Sequence, residues 1–247
     1  MRVLIAGESW MSHTIHVKGF DSFTTSSYNE GVGPLRDALE AGGHTVTYLP
    51  NHLAPTQFPT SRKQIEAFDV VILSDIGVNT LLMPDSVFVR SEQAPNRLTL
   101  LEEFVRAGGG LLMIGGYLTF QGIEAKGAYR GTAVERVLPV DLQVGDDRRE
   151  CPEGVTPIVD DPAHPIAQGL EDWPAFLGYN RATLKPDAAR VASVDGDPFI
   201  AAREVDDGRT AVFASDCGPH WGPPPFLAWS GFPRLWNNLI AWLGKEA

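Results

Sequence analysis

The hydrophobic positions in the first half of the chain alternate between continuous apolar runs and helical spacing. Short apolar runs ending in glycine or polar residues predict buried strands. Amphipathic stretches between them predict helices, the clearest opening on Pro34 and closing on Gly42. The predicted strands are residues 2–7, 44–50, 69–77 and 110–116, and the predicted helices are 34–42, 61–68 and 97–107. This regular alternation predicts an α/β fold with a doubly wound, mainly parallel sheet and helices on both faces.

The second half of the chain is more irregular. Residues 132–138 predict a short helix, and residues 139–180 are rich in Pro, Gly and Asp with weak strand signals. Strands are predicted again at 188–194, 198–205 and 209–216, the last two joined as a hairpin by residues 206–208. An apolar stripe at 235, 239, 242 and 243 predicts a final helix. We interpret residues 1–247 as a single domain with a β-rich elaboration in its second half, of which 139–180 is the irregular part.

Polar and aromatic residues follow the predicted strands where those strands end. Ligands of open parallel sheets bind beyond the carboxyl ends of the strands, so these residues are expected to share one edge. They are Glu8 and Trp10 after the first strand, Asp75 after the third, Gly116 and Tyr117 after the fourth, and Asp216, His220 and Trp221 after the last. The sequence therefore predicts a pocket at this edge.

The segment from residue 8 to residue 31 has few helix signals and several aromatic side chains. Structureless loops of more than about 12–15 residues are usually functional or disordered, and the aromatic content argues against disorder. We expect a loop that folds over the strand ends as a wall or lid, with His13 facing the pocket. The alternative is a packed loop whose aromatic side chains only seal the sheet edge.

Composition narrows the classes of partner. Acidic residues outnumber basic ones by 31 to 20, and a formal charge of −11 argues against nucleic acid or an anionic membrane as a partner. The two cysteines, Cys151 and Cys217, form no metal or redox motif. No signal peptide and no membrane span is recognised, so a cytoplasmic protein is expected.

Several segments together resemble the class I glutamine amidotransferase-like superfamily, in a branch that neighbours the ThuA-like proteins linked to sugar use. These segments are RVLIAGESW, DVVILSDIG, EEFVRAGGGLLMIGGYLTFQG, DPAHPIAQGL and GRTAVFASDCGPHW. The resemblance spans nearly the whole chain and implies the same flavodoxin-like fold. It implies activity less directly, because many members of the superfamily have lost the amidase chemistry.

The catalytic pattern of that superfamily is incomplete in this chain. Active members carry a nucleophilic cysteine in a G-x-C-x-G turn and a later His-x-Glu pair. Here Tyr117 replaces the cysteine and Thr119 replaces the last glycine of the turn. His220 is present, but Gly222 stands where the glutamate is expected. A phenol with an ordinary pKa near 10 is a poor nucleophile toward an amide at neutral pH. We therefore expect no glutaminase activity.

The predicted pocket is expected to bind a small polar metabolite, plausibly a carbohydrate derivative. The candidate catalytic residues are His220, Tyr117 and Asp216, and the candidate ligand-binding residues are Glu8, Trp10, His13, Asp75, Gly116 and Trp221. No cofactor and no metal is predicted. Two alternatives remain: a non-catalytic binding or regulatory module, and a metal-dependent hydrolase. A homo-oligomer is expected, with the aromatic-rich segment 223–236 as one possible contact surface.

Overall fold

The centre of the molecule is an eight-stranded sheet, seen in a computed structural model that describes residues 1–246. Its five strands on one side are parallel, and the remaining three run antiparallel. In spatial order the strands are β4 (Thr45–Leu49), β1 (Arg2–Gly7), β5 (Val70–Ser74), β6 (Gly110–Ile114), β14 (Gly208–Phe213), β13 (Asp197–Val205), β12 (Ala189–Val194) and β9 (Ile158–Val159).

Three two-stranded sheets surround this central sheet. They pair β2 (Ser9–Lys18) with β3 (Asp21–Glu30), β7 (Val140–Leu142) with β11 (Ala182–Leu184), and β8 (Arg148–Val155) with β10 (Phe176–Asn180). The helices are α1 (Gly33–Ala41), α2 (Ala54–Gln57), α3 (Arg62–Ile65), α4 (Val78–Leu82), α5 (Asp85–Phe88), α6 (Arg97–Arg106), α7 (Ala133–Val137), α8 (Pro224–Leu227) and α9 (Phe232–Leu243). Single 3₁₀ turns occupy Ile123–Ala125 and Pro165–Ala167.

The predicted fold class is confirmed. Every residue of β5 and β6 is buried, as expected for central parallel strands covered on both faces. Helices α1 and α9 pack together, while α6 packs against α3, α4 and α7. Right-handed crossovers place these two groups on opposite faces of the sheet, because the chain moves in opposite directions from β1 to β4 and from β5 to β6.

The prediction of a structureless loop at 8–31 is wrong. This segment forms a long hairpin of two ten-residue strands, which we call the arm (Ser9–Glu30). Its residues alternate between the two faces, with β-branched and aromatic side chains spaced among serines and threonines. Its turn contains Gly19 at a φ of +67°. Most of its side chains are exposed, so the arm does not fold over the strand ends as a lid.

The aromatic-rich segment 223–236 is used inside this chain. Phe226, Phe232, Leu235 and Trp236 are buried in the core, whereas residues 224, 225, 228, 230, 233 and 234 are exposed. That this segment forms a subunit contact stays a prediction. Within residues 1–246, no helix is long and apolar enough to cross a membrane.

Candidate functional site

A cavity of about 150 Å³ opens at the carboxyl edge of the parallel strands. Its lining combines three carboxylates, three ring side chains and a proline. The lining residues are Glu8, Trp10, Asp75, Tyr117, Asp216, Pro219 and His220. Six of these seven were predicted from the strand ends, and they come from four separate parts of the chain.

Three of the lining residues have left-handed backbone conformations. Glu8 has a φ of +50°, Asp75 of +45° and His220 of +146°. Residues other than glycine rarely adopt such angles, and where they do the surrounding structure must hold them there. The backbone is thus bent just after β1 and β5 and again in the segment that follows β14, where these three residues line the cavity.

The junction between β1 and β5 shows how tightly this bend is made. Gly7 has a φ of +113°, and a Cβ atom at this position would lie 1.8 Å from the carbonyl oxygen of Ser74. The next amide, that of Glu8, donates to the same carbonyl at 2.8 Å. Only glycine allows this close approach, which fixes where the Glu8 side chain begins.

Glu8 is the most deeply enclosed carboxylate of the cavity. It is 4 % exposed, and its Oε2 accepts hydrogen bonds from Ser74 Oγ at 2.6 Å and from Cys217 Sγ at 3.6 Å. Burial, followed by the nearby charge of Asp75, raises the pKa of Glu8 to about 7. The two hydrogen bonds oppose this rise without cancelling it.

Asp75 and Asp216 behave in the same way. Burial raises the pKa of Asp75, although its Oδ1 accepts the backbone N–H of Leu118 at 2.8 Å. Burial and then the charges of Glu8 and Asp75 raise the pKa of Asp216 well above its ordinary value. Among the described residues, none of these three carboxylates forms an ion pair. The cavity therefore holds a concentration of acidic groups without a compensating cation.

The turn after β6 presents Tyr117 to the cavity. Gly116, at a φ of +149°, donates its N–H to Asn180 Oδ1 at 2.9 Å, and Asn180 Nδ2 donates to Asp147 Oδ1 at 2.8 Å. Asp147 in turn accepts the backbone N–H groups of Gln121 and Gly122. This buried network fixes the turn, and it also means that the Gly116 amide is already bonded within the protein.

Tyr117 and His220 are neighbours in the cavity wall. Their rings meet edge to face with centroids 4.4 Å apart, and the Arg148 guanidinium lies 4.6 Å from the centroid of the Tyr117 ring. Burial, followed by the charge of Glu150, raises the pKa of Tyr117. Burial lowers the pKa of His220, so the neutral imidazole is favoured.

Glu150 links these groups. Its Oε1 accepts the hydroxyl of Tyr117 at 3.2 Å, and its Oε2 accepts Nε1 of Trp221 at 2.9 Å. The same Oε2 lies 3.8 Å from Nε2 of His220. The sequence analysis grouped Asp216 with His220 as a candidate catalytic residue, but Asp216 Oδ1 accepts the backbone N–H of Gly218. Glu150 is the carboxylate in contact range of the histidine.

Glu150 and Arg148 were missed because they lie in β8, inside the stretch read as irregular. The only signal was their spacing. Residues two apart on a strand share a face, and here that face meets Tyr117, while Arg149 points away toward Asp195. Without knowing where β8 packs, a DDRRE run is indistinguishable from a solvated surface strand.

Three predicted site residues lie outside the cavity. His13 is exposed on the arm, where its Nδ1 is 2.8 Å from Ser26 Oγ. Trp221 is fully buried behind Tyr117, with ring centroids 5.9 Å apart. Gly116 contributes the turn but no free amide. The corrected set consists of the cavity lining supported by Glu150 and Arg148.

The best metal-ligand geometry in the described chain is a buried group of Glu8, Asp216 and Cys217, whose candidate ligand atoms all lie within 4.8 Å of one another. Carboxylates suit hard divalent cations, but a cysteine ligand must be a thiolate. Burial and the neighbouring acids raise the pKa of Cys217 well above its ordinary value. A cation here would therefore be held by the carboxylates.

Comparison with known proteins places this fold. The chain matches the cytoplasmic protein STM3548 from Salmonella typhimurium at 45 % identity, with a TM-score of 0.96 over 98 % of this chain and 99 % of that one. It matches the cytoplasmic protein STM1381 from Salmonella typhimurium LT2 at 42 % identity, with a TM-score of 0.95 over the same shares. A ThuA-like protein from Parabacteroides merdae shares the fold at 12 % identity, with a TM-score of 0.57 over 99 % of this chain and 90 % of that one.

The comparison with curated proteins finds no match. The family model described as "Putative glutamine amidotransferase" matches residues 2–245, which include every cavity residue. With nearly the whole chain covered, this protein belongs to that glutamine amidotransferase-like family.

Proposed function

We propose that the cavity binds a small polar metabolite rich in hydrogen-bond donors, such as a carbohydrate derivative, and that the protein has no glutaminase activity. The observation that carries the proposal is the set of three carboxylates around one cavity, of which Glu8 and Asp216 are buried and Asp75 is half-buried. Carboxylate charges enclosed without an ion-pair partner are costly, so this site needs protons or a donor-rich ligand to satisfy them.

The volume and the lining of the cavity suit a small ligand. A volume of about 150 Å³ equals the share of roughly five water molecules in the liquid, which suits a polyol or aminoalcohol of three to four carbons, or one edge of a sugar. Trp10, Tyr117 and His220 provide flat apolar walls, and the carboxylates provide acceptors. Such a combination of rings and acceptors is typical of sites for hydroxylated ligands.

Two titratable groups of the cavity, the Glu8 carboxyl group and the His220 imidazole, determine its proton chemistry. Glu8, with a pKa of about 7, changes its charge near neutrality, and His220 favours its neutral form. In an enzymatic reaction His220 would act as the general acid/base, with Glu150 holding the imidazole and Tyr117 donating or orienting. A binding or regulatory module without chemistry would use the same contacts and lack only turnover.

The state of the two cysteines supports the absence of glutaminase activity. Amide attack by the family mechanism needs an accessible thiolate. Cys151 and Cys217 are both buried, and burial raises the pKa of each thiol. Neither lines the cavity. The resemblance to active amidotransferases implies that Tyr117 occupies the position of their cysteine. We expect no ammonia release from glutamine above background; robust release abolished by Tyr117→Phe would contradict this.

The second candidate is a hydrolase that uses a metal-bound water. The closeness of Glu8 and Asp216 to Cys217 favours it, whereas the raised pKa of Cys217 does not. Elemental analysis of the purified protein separates the two candidates. A divalent metal at one equivalent per chain that is lost in Glu8→Gln would establish the metal site in place of the donor-rich ligand.

The main test is a thermal-shift screen with small polyols, aldoses, sugar acids and aminoalcohols, followed by calorimetry on any compound that stabilises the protein. Glu8→Gln should lower the affinity for a hit at least tenfold, because it removes an acceptor that faces the cavity. Glu153→Gln, an exposed acid of β8, is the matched control and should bind normally. Hits whose affinity is unchanged in Glu8→Gln would place binding elsewhere and refute the assignment.

A further inference from the structure

The arm is the most exposed apolar element of the molecule. Its strands form a ten-residue ladder with each other, and within residues 1–246 they pack extensively on no other helix or strand. Contacts with the body come from the base of the arm, where Ser9 bonds Asn51 and Tyr28 meets the ring of His52. Beyond this base, both outer edges of the hairpin are unpaired.

One face of the arm carries three aliphatic side chains. The register places Met11, Ile15 and Val17 on the same face, together with His13 and its hydrogen-bond partner Ser26, and opposite Tyr28, Thr24 and Ser22 of the other strand. Ile15 and Val17 are 70 % and 71 % exposed. An isolated two-stranded hairpin is at best marginally stable in water, and exposed strand edges invite pairing. A hairpin of this length with this face is expected to be covered when the protein is at work.

The same chain carries an exposed apolar patch that could cover it. Met83, Phe88 and Val89, in and after helices α4 and α5, are 41 %, 72 % and 69 % exposed. This segment follows β5, the sheet neighbour of β1, and the arm follows β1. The arm and the segment that carries the patch therefore begin at the same edge of the sheet, after two adjacent strands. Two copies with these edges facing each other would bring each arm toward the other copy's patch.

Area and charge both favour a second copy as the occupant. The arm is about 33 Å long and about 10 Å wide, so one face covers roughly 330 Å². In a dimer with two such contacts, the two arm faces and the two body surfaces that they cover would together bury about 1,300 Å². This total lies within the range of stable interfaces. With one lysine, Lys18, against Asp21 and Glu30, the arm accounts for only one of the eleven net negative charges. It can approach an acidic body with little repulsion.

We propose that the arm is a self-association element: the Met11–Ile15–Val17 face of one copy packs on the Met83–Phe88–Val89 patch of a second copy, and the second copy's arm does the same in return. This gives a two-fold, isologous dimer in which each chain is donor and receiver. The proposal does not depend on what the cavity binds.

The test is the mass in solution, measured by light scattering after gel filtration and by sedimentation velocity at micromolar concentration. The wild-type chain should have twice the mass of one copy. The double variant Ile15→Asp/Val17→Asp should be monomeric, with an unchanged circular-dichroism spectrum. The matched control Ile158→Asp/Val144→Asp changes equally exposed side chains, at 68 % and 80 %, and should remain a dimer.

A second variant tests the receiving surface. Phe88→Asp should also give monomers, and the pair Ile15→Cys with Phe88→Cys should form a disulfide between copies under mild oxidation. A monomeric wild type would overturn the proposal, as would an assembly that survives Ile15→Asp/Val17→Asp. Dimers that survive Phe88→Asp would overturn the assigned receiving patch.

Discussion

The charge of Glu8 has a predictable effect on stability, which Glu8→Gln isolates. Burial raises the pKa of Glu8 from its ordinary 4.5 to about 7, so its ionised form is less favourable in the folded chain than in the unfolded one. When folding raises the pKa of a carboxyl group, that group contributes its full stabilisation at a pH below its pKa in the unfolded chain. For Glu8 this contribution to the free energy of unfolding is lost as the pH rises from about 4.5 through about 7.

The magnitude follows from the same values. One pKa unit corresponds to about 1.4 kcal/mol, so the ionised Glu8 costs the folded state about 3 kcal/mol above pH 7. Glutamine has no charge to lose. The free energy of unfolding of Glu8→Gln, measured relative to wild type, should therefore rise by about 3 kcal/mol between pH 4.5 and pH 8. The neighbouring Asp216 acts in the same direction, because the charge of Glu8 that raises its pKa is absent once residue 8 is neutral.

The assay is urea unfolding at half-unit pH steps from 4.5 to 8, without ligand, for wild type, Glu8→Gln and the exposed control Glu153→Gln. A pH-independent difference in the free energy of unfolding between wild type and Glu8→Gln reflects hydrogen bonds lost or gained in the variant. Only the change of that difference with pH reflects ionisation of the Glu8 carboxyl group. A difference that stays flat across this range, or that falls with rising pH, would refute the assigned burial and charge of Glu8. The control should follow wild type throughout.

Three further changes probe the supports of the cavity. Glu150→Gln should lower the pKa of His220 below its wild-type value in an NMR titration, because the charge that favours the imidazolium is removed; a rise would contradict the contact. Asn180→Ala should cost roughly 2–4 kcal/mol in urea unfolding, since it leaves buried backbone and carboxylate groups unpaired. Gly7→Ala should prevent accumulation of folded protein, whereas Gly43→Ala, also at a positive φ but with open space around it, should fold with a modest loss of stability.

The central sheet could be predicted from the sequence because the residues of each parallel strand by themselves indicate a buried strand. Residues 70–73 and 110–114 are unbroken apolar runs, and such runs flanked by amphipathic helices leave few topologies. The strand-end residues followed from the topology alone. This is why Glu8, Asp75 and Tyr117 were expected together although they are far apart in the chain.

The remaining features depend on partners that lie far away in sequence. Glu150 becomes part of the site only because β8 pairs with β10 and turns one face to Tyr117. Nothing local in the chain encodes that packing. The arm was missed for a related reason: its polar and apolar residues alternate, but its mixture of serines, threonines and histidines gives no strong apolar period, so length suggested a loop.

Trp10 belongs to two structures at once. It is the second residue of the arm, and its ring is one wall of the cavity. In a dimer that pairs through the arm as proposed, a contact that shifts the arm would also shift this wall, and a ligand against the wall would act on the arm. Occupancy of the cavity and pairing of two chains would then be thermodynamically linked. The factor by which a bound ligand changes the dimerisation constant would then equal the factor by which dimerisation changes the affinity for that ligand.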